Sequence, residues 1–165
     1  MKPLDEETVK QVLERVFGKI NDEGLDFAVK ISNGSPGIAS DVFVNDGLEI
    51  YDKLLSVLKT TPKFSLANLN GFIEAVSAKD NISNWHLGLY FLGDIISKAV
   101  KSTVEPIEMS EEESLAINAV LAKNNPYELA QILDKISEIY RETDIFNMDR
   151  KIAMTNILNM LKQAA

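Results

Sequence analysis

The residues of this sequence that could do chemistry are few, and the most suggestive of them lie at a single corner. Ser35, Pro36 and Gly37 stand between two apolar-patterned segments. A serine that can cap a helix, followed by proline at the first helical position, is typical of a helix start. The free N–H groups of such a start can bind a phosphate. A tight corner between two helices, without a ligand, is the alternative, and the local chemistry favours it.

Gly34 completes this corner because it stands at the end of the preceding apolar segment. The residue just past a helix end commonly has a positive φ, and glycine avoids the penalty that a Cβ imposes there. The sequence therefore predicts that one helix stops at Gly34 and that the next begins at Pro36.

Three other polar features could carry chemistry, but none has the partners that chemistry requires. His86 is the single histidine, and we interpret it as a packing or rim residue because a catalytic histidine needs an acid or base beside it. Asp94 is interpreted as the polar edge of its helix. The run from Glu111 to Glu113 is interpreted as a solvated first turn that the helix dipole stabilises.

Several motifs of catalysis are missing from the sequence. It has no glycine-rich phosphate loop of the Gly-x-x-x-x-Gly-Lys-Ser/Thr type. With one histidine, it cannot assemble the paired Glu-x-x-His motifs of a di-iron bundle. It has no cysteine, which excludes disulfides and thiolate ligands. We therefore expect no catalytic residues, no metal site and no cofactor.

The composition narrows the class of protein. The 165 residues carry 17 basic and 25 acidic side chains, a net charge of −8, which argues against a broad nucleic-acid surface. The first residues are charged, so we expect no signal peptide. The longest apolar stretch contains His86 and Asp94 and is too short and too polar to cross a bilayer. Together with the lack of cysteine, these features favour a cytoplasmic protein.

Apolar residues recur at helical spacing along the sequence, and no segment shows the alternation of a β-strand. The first part predicts a helix over residues 5–20, a shorter one over 25–33 and a third that starts at the corner. Asn45-Asp46-Gly47 favours a turn and is the best candidate for a domain boundary, and a continuous helix through it is the alternative. The first part is therefore a small three-helix region.

The sequence after this boundary predicts about six more helices. The most apolar of them covers residues 82–101 and is expected to be central, because more than one of its faces is apolar. Ser65, Ser110 and Asp149 are the expected N-caps of three others. The predicted fold is all-α, three helices followed by a bundle of about six. Residues expected on buried faces include Val16, Leu66 and Tyr140.

Two short motifs resemble the delta-prime subunits of the bacterial DNA polymerase III clamp loader. Gly34-Ser35-Pro36-Gly37, followed by Ala39 and a long helix, is similar to a segment that lies in the small helical lid of that family. Asn147-Met148-Asp149-Arg150-Lys151 is similar to the Asn-Leu-Asp-Arg-Lys start of the family's last collar helix. The two motifs bracket most of the chain.

The resemblance implies an architecture and a set of partners. Residues 1–44 would be the lid of an AAA+-type module, and residues 45–165 a collar-type helical domain that joins the subunits into a ring. The ring loads the sliding clamp during DNA replication. The implied partners are the gamma (or tau) and delta subunits, bound through the collar. Neither membrane contact nor direct nucleic-acid binding is expected.

The resemblance also implies that this part of the subunit is non-catalytic. In ATP-hydrolysing relatives, a lid arginine near position 38 contacts the nucleotide phosphates. Ile38 has neither charge nor donor and cannot do so. The nucleotide-binding domain that precedes the lid in this family is missing, so we expect the chain to be a C-terminal fragment, either of a longer polypeptide or from a truncated reading frame.

The residues by themselves support only an all-helical interaction module. A free-standing helical adaptor or regulatory protein, unrelated to replication, is therefore the alternative. An enzyme with its site inside the bundle is disfavoured, because no group of titratable residues has a workable spacing in the sequence.

Overall fold

The computed structural model describes residues 2–20, 22–143 and 148–163. Over these residues the chain is all-helical and has no strand, which confirms the predicted fold class. The nine helices of the described part are α1 Glu6–Phe17, α2 Glu23–Ile31, α3 Pro36–Val44, α4 Gly47–Leu58, α5 Leu66–Ser77, α6 Ile82–Ser102, α7 Glu111–Leu121, α8 Pro126–Thr143 and α9 Arg150–Gln163.

The helices divide into two compact units, Met1–Ile50 and Tyr51–Ala165. The chain turns at Asn45 and Asp46, where Asp46 has a φ of 51°. Helix α4 begins directly after this turn and includes residues of both units. The assignment of residues 1–44 as a lid and of 45–165 as a collar stays a prediction.

In the first unit, α1, α2 and α3 each pack against the other two. The predicted helix over 5–20 ends earlier, at Phe17, because Gly18 takes a φ of 87° and its N–H bonds the carbonyl of Glu14. Helix α2 begins earlier than predicted, since the carboxylate of Asp22 caps it through the N–H of Gly24. The core of this unit comprises Val9, Leu13, Leu25, Val29 and Ala39, with Phe17, Ile20 and Phe43 packed against it.

Helix α6 is the centre of the second unit. It packs against α5, α7 and α8, while α9 packs against α5 and α8. Nine residues of α6 are buried, among them Trp85 and Phe91. The predicted central position of this helix is confirmed. None of the described helices combines the length and the apolar character that a bilayer crossing requires.

Of the predicted N-caps Ser110 and Ser65, the first makes the expected side-chain hydrogen bonds and the second does not. The hydroxyl of Ser110 accepts a hydrogen bond from the N–H of Glu113 at 3.1 Å, and the Glu113 carboxylate accepts one from the N–H of Ser110 at 2.9 Å. This confirms the capping box of α7. Ser65 occupies the N-cap position of α5 but makes no side-chain capping bond.

Some side chains that were expected to be buried lie at the surface. Val16 is 68% exposed, Leu66 is 74% exposed and Tyr140 is 45% exposed. Val16 lies beside the end of α1, and Leu66 is the first residue of α5. Helical spacing assigns a residue to a face, but it does not show where the neighbouring helix stops covering that face.

Candidate functional site

The corner between α2 and α3 has the predicted backbone. Gly34 has a φ of 83°, Pro36 is the first residue of α3, and the hydroxyl of Ser35 accepts a 3.4 Å hydrogen bond from the N–H of Ile38. The glycine that ends one helix, the serine that caps the next and the proline that begins it therefore follow one another as the sequence predicts.

The N-terminal segment lies against this corner, which the sequence did not predict. The N–H of Leu4 donates a 3.0 Å hydrogen bond to the carbonyl oxygen of Gly34. A Cβ at Gly34 would lie 2.4 Å from the carbonyl oxygen of Leu4 and 2.7 Å from the Cβ of Pro3. Glycine is therefore required here twice, for its positive φ and for the close approach of another backbone.

The start of α3 offers little to a phosphate. The N–H of Ser35 bonds the carbonyl of Ser32 at 3.1 Å, Pro36 has no N–H, and the N–H of Ile38 is used by the cap. Within the described part of the chain, this leaves Gly37 as the only first-turn residue whose N–H has no partner. Phosphate sites at helix starts use several convergent N–H groups. The geometry therefore favours a structural corner.

Asp149 and Arg150 of the second motif lie at the start of α9. The Asp149 carboxylate accepts a 3.1 Å hydrogen bond from the N–H of Ile152, so Asp149 caps the helix as predicted. The guanidinium of Arg150 donates a 2.8 Å hydrogen bond to the carbonyl oxygen of Ala78, just past the end of α5. Asn147, the first residue of the motif, lies outside the described residues.

A cluster of four polar side chains joins α4, α6 and α7. The hydroxyl of Tyr51 donates a 2.6 Å hydrogen bond to Oε1 of Glu113. Nζ of Lys98 donates to the same oxygen at 2.9 Å and lies 2.9 Å from Oδ2 of Asp94. We call Tyr51, Asp94, Lys98 and Glu113 the polar cluster.

The polar cluster corrects two interpretations of the sequence. Asp94 was interpreted as a polar edge and Glu113 as part of a solvated turn, but each side chain is only 13% exposed. The reason is that Asp94 and Glu113 both lie where α6 and α7 pack together, so that each approaches Lys98. Glu111, by contrast, is exposed as predicted.

Burial and hydrogen bonding set the charges of this cluster. Burial, and then the hydrogen bond to Glu113, raise the pKa of Tyr51 far above its ordinary value, so the phenol stays neutral. Burial would lower the pKa of Lys98, but Asp94 and Glu113 outweigh it and raise that pKa. Burial would raise the pKa of Glu113, but hydrogen bonds from Tyr51, Ser110 and Lys98 outweigh it and lower that pKa.

These directions determine what the polar cluster can do. A neutral phenol and a protonated amine are poor nucleophiles at neutral pH, since activation needs a lowered pKa or an adjacent free base. Each side chain of the cluster is bonded to another member of it. The arrangement is suited to holding three helices together. No group of His, Asp and Glu residues in the described part is suited to a metal ion.

His86 is a packing residue in the structure. Its ring lies against that of Tyr140, with 4.8 Å between the ring centroids and an angle of 38° between the planes. The side chain of His86, on α6, is half-buried and contacts α8 through this ring. This contact agrees with the interpretation of His86 as a packing or rim residue.

Comparison of the chain with protein-family models, with curated proteins and with solved structures finds no match. The features of the chain that bear on its function are therefore the two motifs, the order of the helices and the geometry of the sites.

Proposed function

We propose that this chain is the non-catalytic C-terminal part of a clamp-loader subunit of the delta-prime type. Residues 1–44 would form its lid and residues 45–165 its collar. The collar would bind the gamma (or tau) and delta subunits in the ring that loads the sliding clamp during DNA replication. ATP would be bound and hydrolysed by other subunits.

The observation that carries this proposal is the position of the two motifs within the helices. Gly34-Ser35-Pro36-Gly37 opens the last helix of a small three-helix unit, and Asp149-Arg150 opens α9, the last helix of the larger unit. The delta-prime resemblance implies this order. Short motifs can occur by chance, but a motif at the predicted helix start in each unit supports the resemblance.

The corner supports a non-catalytic role. Ile38 contributes its backbone N–H to the cap, and its side chain has no donor for a phosphate. The first unit is also acidic, since residues 1–50 include five basic and ten acidic side chains. An acidic surface repels phosphate groups, whether of nucleotides or of nucleic acids.

Analytical ultracentrifugation of the chain with separately produced gamma and delta collar domains tests assembly. A collar contact by itself buries less surface than a complete subunit interface, and interfaces below ~1,200 Å² give weak complexes. The experiment therefore requires high protein concentrations. We expect association with both collars. No association with the fold intact would contradict the proposal and support the free-standing adaptor.

Calorimetry with ATP tests the non-catalytic role separately. We expect no saturable heat of binding, because the chain lacks a phosphate loop and the start of α3 offers one N–H. Saturable binding of ATP would contradict the proposed role even if the collars associate.

A pair of variants on α8 locates the interface. Tyr127 is 73% exposed, and exposed aromatic side chains often anchor interfaces. Gln131, also exposed, lies one turn further along the same face. Tyr127→Ala is expected to weaken association, and Gln131→Ala to leave it unchanged. An affinity of Tyr127→Ala equal to that of the unmodified chain would place the interface away from this face of α8.

A further inference from the structure

Helix α7 packs against the central helix α6. It has 11 residues, of which only Ala116, Ile117 and Val120 are buried apolar side chains, whereas Leu115 is 50% exposed. An isolated helix of this length is marginal in water. Polar contacts therefore add to the apolar packing that holds α7 in place.

Polar contacts hold the first turn of α7. Glu112 forms an ion pair with Lys59, the residue directly after the end of α4. Glu113 accepts hydrogen bonds from Tyr51 of α4 and from Lys98 of α6. Two consecutive acidic residues thus attach the start of α7 to two other helices. The other end is held by Asn124, whose amide donates to the carbonyls of Val120 and Leu161 at 2.8 and 3.3 Å.

Lys98 is shared between two carboxylates at equal distance. Its Nζ atom lies 2.9 Å from Asp94, four residues earlier on α6, and 2.9 Å from Glu113 on α7. If α7 moved away, Lys98 would keep Asp94 as its partner. Glu113 would enter water and could still bond the N–H of Ser110. Breaking a buried ion pair is usually costly because it leaves a buried charge without a partner. Opening of α7 would leave no such charge.

We propose that α7 is a latched helix that opens as a local unit while the remainder of the second unit stays folded, with Glu112 and Glu113 as the latch. The opening uncovers the apolar surface of α6 on which α7 packs. Local opening below the free energy of global unfolding is common in elements with few buried contacts. Salt weakens the latch mainly at the more exposed pair of Glu112 and Lys59, because the pair of Glu113 and Lys98 is better shielded from solvent. This proposal does not depend on the identity of any partner.

Hydrogen–deuterium exchange of the full chain, measured by mass spectrometry at neutral pH, tests the latch. We expect the α7 amides to exchange faster than those of α5 and α6. In Glu113→Gln, their exchange is expected to accelerate roughly tenfold with that of α5 and α6 unchanged. Glu111→Gln is the matched control. It removes the same charge from the same turn at an exposed position, and the exchange of α7 is expected to change less than about twofold.

Two further measurements keep the proposal falsifiable if Glu113→Gln does not fold. Tyr51→Phe removes one bond to Glu113 without changing charge and is expected to accelerate α7 selectively. A rise from about 0.1 M to about 1 M salt is expected to do the same in the unmodified chain. The proposal is overturned if α7 exchanges at the rate of α6 and if variants and salt change all helices equally, since α7 would then open only with global unfolding.

Discussion

The guanidinium of Arg150 donates a 2.8 Å hydrogen bond to the carbonyl oxygen of Ala78, which lies 72 residues earlier in the chain. Ala78 is the C-cap of α5, where helix carbonyls lack intrahelical partners and carry partial negative charge. A cation at this position satisfies one of them. The first residue of α9 is thereby fixed to the end of α5.

Replacing Arg150 with methionine is expected to lower the free energy of unfolding by about 1.5–3 kcal/mol, because a charged donor is lost and a half-buried carbonyl is left without it. Lys151→Met is the control, since Lys151 is exposed and adjacent. Urea titration of the three proteins measures the difference. Equal stability of the two variants would show that the bond to Ala78 contributes nothing.

The cap of α9 gives a second prediction. Asp149→Ala is expected to cost about 1 kcal/mol, because the N–H of Ile152 loses its acceptor. Asn147→Ala is expected to cost less. Denaturant titrations compare the two variants. If Asn147→Ala proved the more destabilising, the helix would begin earlier than Asp149.

Local signals in the sequence predicted most of the fold. The order of Gly34, Ser35 and Pro36 located the corner, since each residue type has a separate role at a helix end or start. The Ser-x-x-Glu pattern at Ser110 located the start of α7. These signals depend on residues that are close in sequence, which is why they could be read without a structure.

Contacts between distant residues could not be predicted in the same way. Tyr51 and Glu113 are 62 residues apart, and helical spacing places both on helices without indicating which faces meet. The capping box indicated where Glu113 stands, but not that its carboxylate also reaches α4 and α6. The exposed position of Tyr140 depends likewise on where α6 and α8 meet. Pairing of helices is decided by the whole core.

Gly34 provides a third prediction, which separates backbone conformation from close packing. Gly34→Val is expected to destabilise the first unit by at least about 1–2 kcal/mol, because positive φ is unfavourable for valine and its Cβ would overlap with Leu4. Gly18→Val has a similar φ of 87° but an open surrounding, so only the conformational cost is expected. Thermal melts compare the two.

Gly37 provides a further control, because it tests whether substitution of any glycine at the corner is destabilising. A Cβ at Gly37 would have no neighbour closer than 4.0 Å, and its φ is not positive. Gly37→Ala is therefore expected to be neutral or stabilising by up to about 1 kcal/mol. A melting temperature of Gly34→Val equal to that of the unmodified chain would contradict the role of the close contact with Leu4.

The polar cluster gives the last prediction, a dependence of stability on acid. Burial opposes the shift, but hydrogen bonds from Tyr51, Ser110 and Lys98 lower the pKa of Glu113 below its ordinary value of 4.5. The unfolded chain therefore binds a proton at Glu113 at a higher pH than the folded chain does. The stability contributed by Glu113 is fully present above its ordinary pKa and is lost as the pH falls through its lowered, folded-state value.

Lys98 limits the stability of the polar cluster at alkaline pH, as Glu113 does at acid pH. Burial would lower the pKa of Lys98, but Asp94 and Glu113 outweigh it and raise this pKa above 10.5. The stability that Lys98 contributes is therefore fully present below pH 10.5 and is lost as the pH rises through the raised value. Many carboxylates titrate in acid, so the difference between the unmodified chain and Glu113→Gln isolates this one. Urea titrations from about pH 7 to about pH 3 are expected to show that difference shrinking as the pH falls. A difference that stays constant over this range would show that the charge of Glu113 does not stabilise the fold, because glutamine cannot titrate.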